Sequence, residues 1–280
     1  MTDGTAGVDD AASVADTRVT FGGVLRAVWV FVRHRPTVVV PFLLAGVVTA
    51  LVDVMRVAGP VPTTGQTAAQ YGPLRIVFHA VPAPVSAVGT SPGAWLGLEL
   101  SWLAVTGGLE LLTAGCGVVA AVWVLRRVGD ALGHGDATVS TWPAAGRLFG
   151  YQLAVSGLLA GGSVLVGGGL GLFGLPVVLL VLYVAARTFL VPARVVAGDG
   201  VLASVEWSWA RTHGHARTLA GVAVALGVAA NLLVSLPALL APSLAAAGEA
   251  GSVLATTVVG TAHAVGVGLV AARLDDSGGE

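Results

Sequence analysis

The chain has 280 residues, of which 55% are hydrophobic and only 10% charged, with a mean hydropathy of +0.88. Soluble domains carry charge on about a quarter of their residues, so the composition excludes an ordinary soluble globule and points to a membrane protein. The formal net charge of −1 gives no electrostatic basis for a nucleic-acid partner. All fourteen basic residues are arginine, which reads as codon bias and not as chemistry.

Residues 1–18 are acidic and polar. They lack the basic start and apolar stretch of a secretory signal, and they read as a disordered cytoplasmic tail. Residues 19–274 form one integral membrane domain, followed by a short tail over 275–280. A spanning helix needs about 20 mostly apolar residues, and six segments qualify. They are 37–59, 102–125, 149–168, 173–195, 219–240 and 252–272. The expected fold is therefore an all-α, polytopic bundle of about six transmembrane helices.

Ahead of the first span, "AVWVFVRHRP" sets Trp29 four residues before Arg33. Tryptophan at headgroup depth and arginine beside phosphate mark a helix lying in the membrane interface. The loop over 60–92 is the only long one on its side, and "PLRIVFHAV" (Pro73 to Val81) within it predicts a short surface element. The loop has no room for a catalytic soluble domain. The second span carries Glu110 and then Cys116, the sole cysteine. That count forbids an intrachain disulfide and a cysteine-built metal site. Ahead of the third span, "STWPAAGRLFG" repeats the anchor pattern with Trp142 and Arg147.

No charge occurs between Arg147 and Arg187, about twice the length of one crossing. The chain must cross twice there, turning at "VGGGLGLFGLP" (Val166 to Pro176). The letters G-x-G-x-x-G within it (Gly169 to Gly174) lack the strand and acidic residue of a dinucleotide site, so no cofactor is assigned. Gly157 and Gly161 make a small-xxx-small pair suited to helix packing.

"ASVEWSWARTHGHAR" (Ala203 to Arg217) precedes the fifth span. As a helix it puts Leu202, Val205 and Trp209 on one apolar face. Trp207 and Arg211 are four apart, close enough to stack. With the two earlier segments it completes three units, each an interfacial helix leading into a membrane hairpin, before spans one, three and five. His213 and His215 have no third ligand at a recognisable spacing, so no metal is assigned.

About twelve of the fourteen arginines flank one side of these spans and only Arg56 and Arg75 the other. Positive residues collect on the cytoplasmic side, which places both termini there in the cell membrane. Charges within spans are expensive, about 2.5–3.5 kcal/mol each at a helix centre. Asp53, Glu110, Arg187 and His263 are thus the candidate functional residues. Two accounts stay open: snorkelling and local pairing, or a polar cavity serving a substrate or proton path.

The stretch from "LPVVLLVLYVAARTFLVPARVVAGDG" through "VLASVEWSWARTHGHARTLAG" resembles a loose group of bacterial and archaeal multi-pass membrane proteins. That group includes the membrane domain attached to some glycerophosphoryl diester phosphodiesterases and related haloarchaeal families. The resemblance rests on Pro176, Arg187, Pro192, Val195, Ser208, Trp209 and Arg211, and it extends over about 139–273. It implies a membrane bundle of about six helices and no activity.

No nucleophile with an acid/base partner is visible, so no catalytic residue is assigned. The expected role is structural or accessory, with membrane lipids and either a membrane-protein partner or a second copy as partners. A transporter or permease component is the alternative.

Overall fold

The computed structural model describes residues 19–59, 63–65, 81–90, 99–133, 140–167, 174–240 and 246–276. The fold is all-α. Five of its described helical runs are long and apolar enough to cross a membrane: Pro36–Ala58, Leu100–Ala131, Pro176–Ala197, Ala216–Leu240 and Ala247–Asp276. The expected third span falls in a sixth long helix, Thr141–Gly167. The 1–18 tail, the surface element over 73–80 and the glycine turn over 168–173 lie outside the described residues.

Helix α1 (Phe21–His34) is capped by the Thr20 hydroxyl, which accepts the Gly23 N–H at 3.2 Å. It turns Val24 and Val28 inward and leaves Phe21, Leu25 and Trp29 exposed, Trp29 by 66%. A separate helix is expected before span one, and α1 is one. Proline at position 36 lacks an N–H and ends the helix. The chain restarts through a 3₁₀ turn, Pro36–Val39, into α2 (Val40–Ala58).

A three-residue antiparallel clip, β1 (Thr63–Gly65) with β2 (Val88–Thr90), closes the following loop. Helix α3 (Leu100–Ala131) returns across the bundle, and α4 (Thr141–Gly167) follows. Trp142, 75% exposed, sits in the first turn of α4 itself. The second anchor-plus-hairpin unit, ahead of span three, thus has no separate interfacial helix, because nothing between Trp142 and the span breaks the helical ladder.

The fourth span is split into α5 (Gly174–Arg187) and α6 (Val191–Ala197). Pro192 cannot donate to the carbonyl four residues back and its ring crowds it, so the helix opens at Thr188–Leu190. Helix α7 (Val201–Arg211) then packs beside this break, and α8 (Ala216–Leu240) crosses again.

The last run consists of α9 (Ala247–Ala255), a π-helical turn (Thr256–Gly260) and α10 (Thr261–Asp276). It is the central element: 61% of its most apolar window is buried, against 39–44% for the other four spans. Its glycines make this possible. Cβ atoms at Gly251, Gly260 and Gly268 would run into the Val234 carbonyl, the Phe42 ring and the Val128 side chain respectively. Small residues let membrane helices approach closely. Gly157, expected to serve that purpose in span three, has open space around it instead.

Large apolar side chains face outward along the spans, among them Leu44 at 61%, Leu51 at 60% and Leu180 at 61% exposed. A surface this apolar marks contact with a membrane or with protein, not with water. The arginines gather at one end: Arg126 bonds Thr141, Arg147 bonds the Gly198 carbonyl, and Arg194 pairs with Asp275.

Candidate functional site

The intramembrane candidates separate into two places. At the end opposite the arginine cluster, the buried face of α2 runs through Phe42, Ala45, Gly46, Thr49, Val52, Asp53 and Arg56. Helical spacing puts the two charges on the same stripe as the core residues, so they are carried inward and not toward lipid. Asp53 is 1% and Arg56 6% exposed.

Buried charges persist only when paired and hydrogen-bonded, and here the pairing is dense. Arg56 Nη1 donates to Asp53 Oδ1 at 3.0 Å and to the Val88 carbonyl at 3.2 Å. Arg56 Nη2 lies 2.8 Å from Glu110 Oε1 on α3. The other carboxylate oxygen, Asp53 Oδ2, accepts from the Ser252 hydroxyl at 2.6 Å and the Ala87 N–H at 3.2 Å. Ser86 Oγ reaches both Asp53 and the Val88 carbonyl and has one proton to give. Asp53 and Glu110, singled out separately in the sequence, are thus joined through Arg56.

What this cluster holds is a stretch of non-helical backbone, Val81–Thr90, packed against the bundle. Ser252 Oγ accepts the Ala87 N–H at 2.8 Å, while Thr256 Oγ1 accepts the Val85 N–H at 2.9 Å and donates to the Val85 carbonyl at 3.1 Å. The spacing explains the match. Four residues of helix rise about 6 Å, within the reach of about 6.7 Å that two residues of fully extended chain can span, so hydroxyls one helical turn apart meet residues two apart in the segment.

Pro84 fills the place where Gly117 of α3 lacks a side chain. Gly117 lies about 14 Å along its helix from Arg126, well within a hydrocarbon core of about 30 Å. Non-helical backbone is tolerated at that depth only when protein or water satisfies it, which is the task of Asp53, Ser252 and Thr256. The π turn begins at Thr256, where this segment docks.

The second place is the break between α5 and α6. Ending α5 orphans the Arg187 carbonyl, and Ser208 Oγ donates to it at 2.7 Å while accepting the Leu190 N–H at 3.3 Å. Thr212, a turn later, packs on the same carbonyl and is fully buried. Helix α7 therefore buries its small hydroxyl face, Ser204 and Ser208, and turns Leu202 (80% exposed) and Trp209 outward.

The Arg187 side chain, 5% exposed, lies between Trp209 at 4.8 Å and Tyr183 at 5.8 Å, rings that meet edge to face. Cation–π contact takes the place of a carboxylate partner. His263 is likewise buried, stacked on Phe189 at 5.2 Å between centroids. Replacing Ser208 with alanine removes the partner of the Leu190 N–H and leaves the Arg187 carbonyl only the longer 3.4 Å contact from Thr212, at about 1–3 kcal/mol. Thermal unfolding in detergent is expected to show that loss as a drop of several degrees.

The anchors differ in detail from the spacing-based expectation. Trp207 receives Arg194 of α6 at 4.9 Å from its centroid, and not Arg211, because α6 packs directly against that face. Arg147, exposed at its position on α4, donates to the carbonyls of Gly198 and Asp199 just past the end of α6. Arg33, on the last turn of α1, remains exposed.

Asp53 and Glu110 meet; Arg187 and His263 stand apart from them in separate packed surroundings. Ser86, Ser252 and Thr256 were not singled out, and Ser208 was named only for the resemblance, although the hydroxyl pairs 208/212 and 252/256 share a helical i, i+4 spacing visible in the sequence. Among the described residues no group of three His, Cys, Asp or Glu side chains is placed to hold a metal. Family models, characterised proteins and solved structures all fail to match this chain.

Proposed function

We propose that this protein is a non-enzymatic integral membrane protein of the cell membrane, structural or accessory in role, with both termini cytoplasmic. One observation carries the reading: the Asp53 carboxylate is fully engaged. Arg56, Ser252 and the Ala87 N–H occupy it, with Ser86 able to supply a fourth bond. A carboxylate accepts about four bonds in all, and three or four of this one's are spent on holding backbone and its neighbours in place. The second polar place stitches a helix break. Both are devices of a rigid scaffold.

A transporter component is the second reading. It is favoured by the non-helical segment Val85–Val88 and the π turn meeting inside the bundle, since transporters build their sites from interrupted helices.

Native mass spectrometry of the protein released gently from its own membrane separates the two. The scaffold reading expects a stoichiometric membrane-protein partner or a second copy. A bare monomer carrying a small molecule that is lost in Glu110→Gln or His263→Ala overturns it in favour of transport.

A further inference from the structure

Between α2 and α3 lies an apolar groove of about 830 Å³, open sideways along the bundle. Val40, Leu44 and Val48 form one wall, and Leu112, Gly115 and Trp123 the other. Its polar contribution is slight, so it does not suit a hydrophilic solute. Two features define what fits it.

The first is its length. From Leu111 to Trp123 the groove follows α3 for about 18 Å, close to the roughly 15 Å depth of one hydrocarbon leaflet. Beyond Leu111 the Arg56–Glu110 ion pair bridges the two helices, and the Glu110 side chain is 45% exposed there. A partner helix crossing the full bilayer would have to bury that carboxylate edge, whereas a chain confined to one leaflet stops short of it.

The second feature is charge. At the opposite end the Arg127 guanidinium sits 4.8 Å over Trp123, the residue that closes the groove. Arg35 lies two residues before Thr37, which also lines that end, and is held over Phe31 at 5.9 Å. Neither arginine has a carboxylate partner among the described residues. Two cations at the mouth of a leaflet-length apolar groove complement a negative headgroup above a hydrocarbon tail.

We infer that this groove binds an anionic phospholipid, one acyl chain lying between α2 and α3 and the phosphate at Arg127 and Arg35. The inference rests on the scaffold reading and deepens it by naming the lipid class.

Gly115 provides a direct test. A Cβ there meets nothing within 4 Å, so Gly115→Phe projects into the groove without displacing backbone. The full chain, delipidated in detergent and incubated with phosphatidylglycerol or phosphatidylcholine, is read by native mass spectrometry, with its melting point measured in parallel. The expected result is one phosphatidylglycerol retained in preference to phosphatidylcholine. Arg127→Gln should hold it about fivefold more weakly, one arginine's share of the attraction to an anionic surface. Gly115→Phe should hold none while melting no lower than the wild type.

Equal retention of the two lipids, or wild-type retention of phosphatidylglycerol by Gly115→Phe, overturns the inference. So does a dimer that dissociates in Gly115→Phe, which would assign the groove to a second copy. If Gly115→Phe melts lower than the wild type, Val119→Trp, on the same wall, takes its place with the same expected and overturning results. A failure here leaves the scaffold reading intact, because partner retention and small-molecule carriage are measured on undelipidated protein.

Discussion

Asp53→Ala is expected to lower the unfolding midpoint by on the order of 10 °C. The substitution leaves Arg56 buried with its main counter-charge gone and strips partners from the Ser252 hydroxyl and the Ala87 N–H. Breaking a buried ion pair from one side costs about 3–5 kcal/mol. In a chain of this size each kcal/mol shifts the midpoint by about 2–4 °C. Asp53 and Arg56 side chains are 1% and 4% exposed, so solvent screening does not soften the loss.

Glu110 offers the internal control. Its side chain is 45% exposed, and an ion pair reached by solvent contributes at most about 1 kcal/mol. Glu110→Gln should therefore melt within a few degrees of the wild type. The double variant Asp53→Leu/Arg56→Met should lose less than the two single changes summed, since both charges leave together. Limited proteolysis adds a local readout, because undocking of Val81–Thr90 should open new cleavage sites in Asp53→Ala. An Asp53→Ala protein that melts with the wild type would sink the clamp as the element holding that segment.

Gly251→Ala should be the second severe change. Its new methyl would overlap the Val234 carbonyl, and backbone, unlike a side-chain end, cannot rotate aside. Helices α8 and α9 must separate, which costs at least the 1–3 kcal/mol typical of overpacking and loosens the central run. Gly260→Ala should follow, because Phe42, the residue it would strike, is fully buried and has nowhere to move. Gly107→Ala and Gly108→Ala, by contrast, meet open space within α3. They should be neutral or more stable by up to about 1 kcal/mol from helix propensity alone. Melting curves of the four variants in one detergent check the ranking, and equal shifts at all four positions would refute it.

The docked segment illustrates why part of the site was not readable in advance. Residues 81–90 contain two prolines, a glycine, a serine and a threonine in an otherwise apolar run, the composition of a surface loop. Their docking depends on Ser252 and Thr256, which lie more than 160 residues away. A serine in an apolar helix says only that a hydroxyl is there; its partner is decided by which helix comes to rest alongside. The pairing of Arg56 with Glu110 is of the same kind. The Asp53–Arg56 contact, at i, i+3 on one helix, was legible because both ends lie on a single rigid element.

The same contrast appears around Arg187. Its late position in the fourth span suggested snorkelling to the headgroups, and it is instead held inside by Trp209 and Tyr183. Ser208 bonds the Arg187 carbonyl while Trp209 covers the Arg187 guanidinium, so three residues from two elements meet at one place. Local periodicity placed Trp209 on the apolar face of α7 correctly. It could not say that this face looks outward while serines look inward, because that is decided by the helix break whose free carbonyl and N–H Ser208 satisfies.

Composition and apolar run length determined by themselves that this is an all-α membrane bundle, where its helices lie and which end gathers arginine. Those properties depend on the transfer of each segment between water and lipid, which is additive along the chain. Only the tertiary structure decided that the last helix is central, that a non-helical segment packs beside it, and which polar groups satisfy one another. Those outcomes depend on the shapes of facing surfaces, where a missing Cβ at Gly251, Gly260 or Gly117 sets how closely two elements approach.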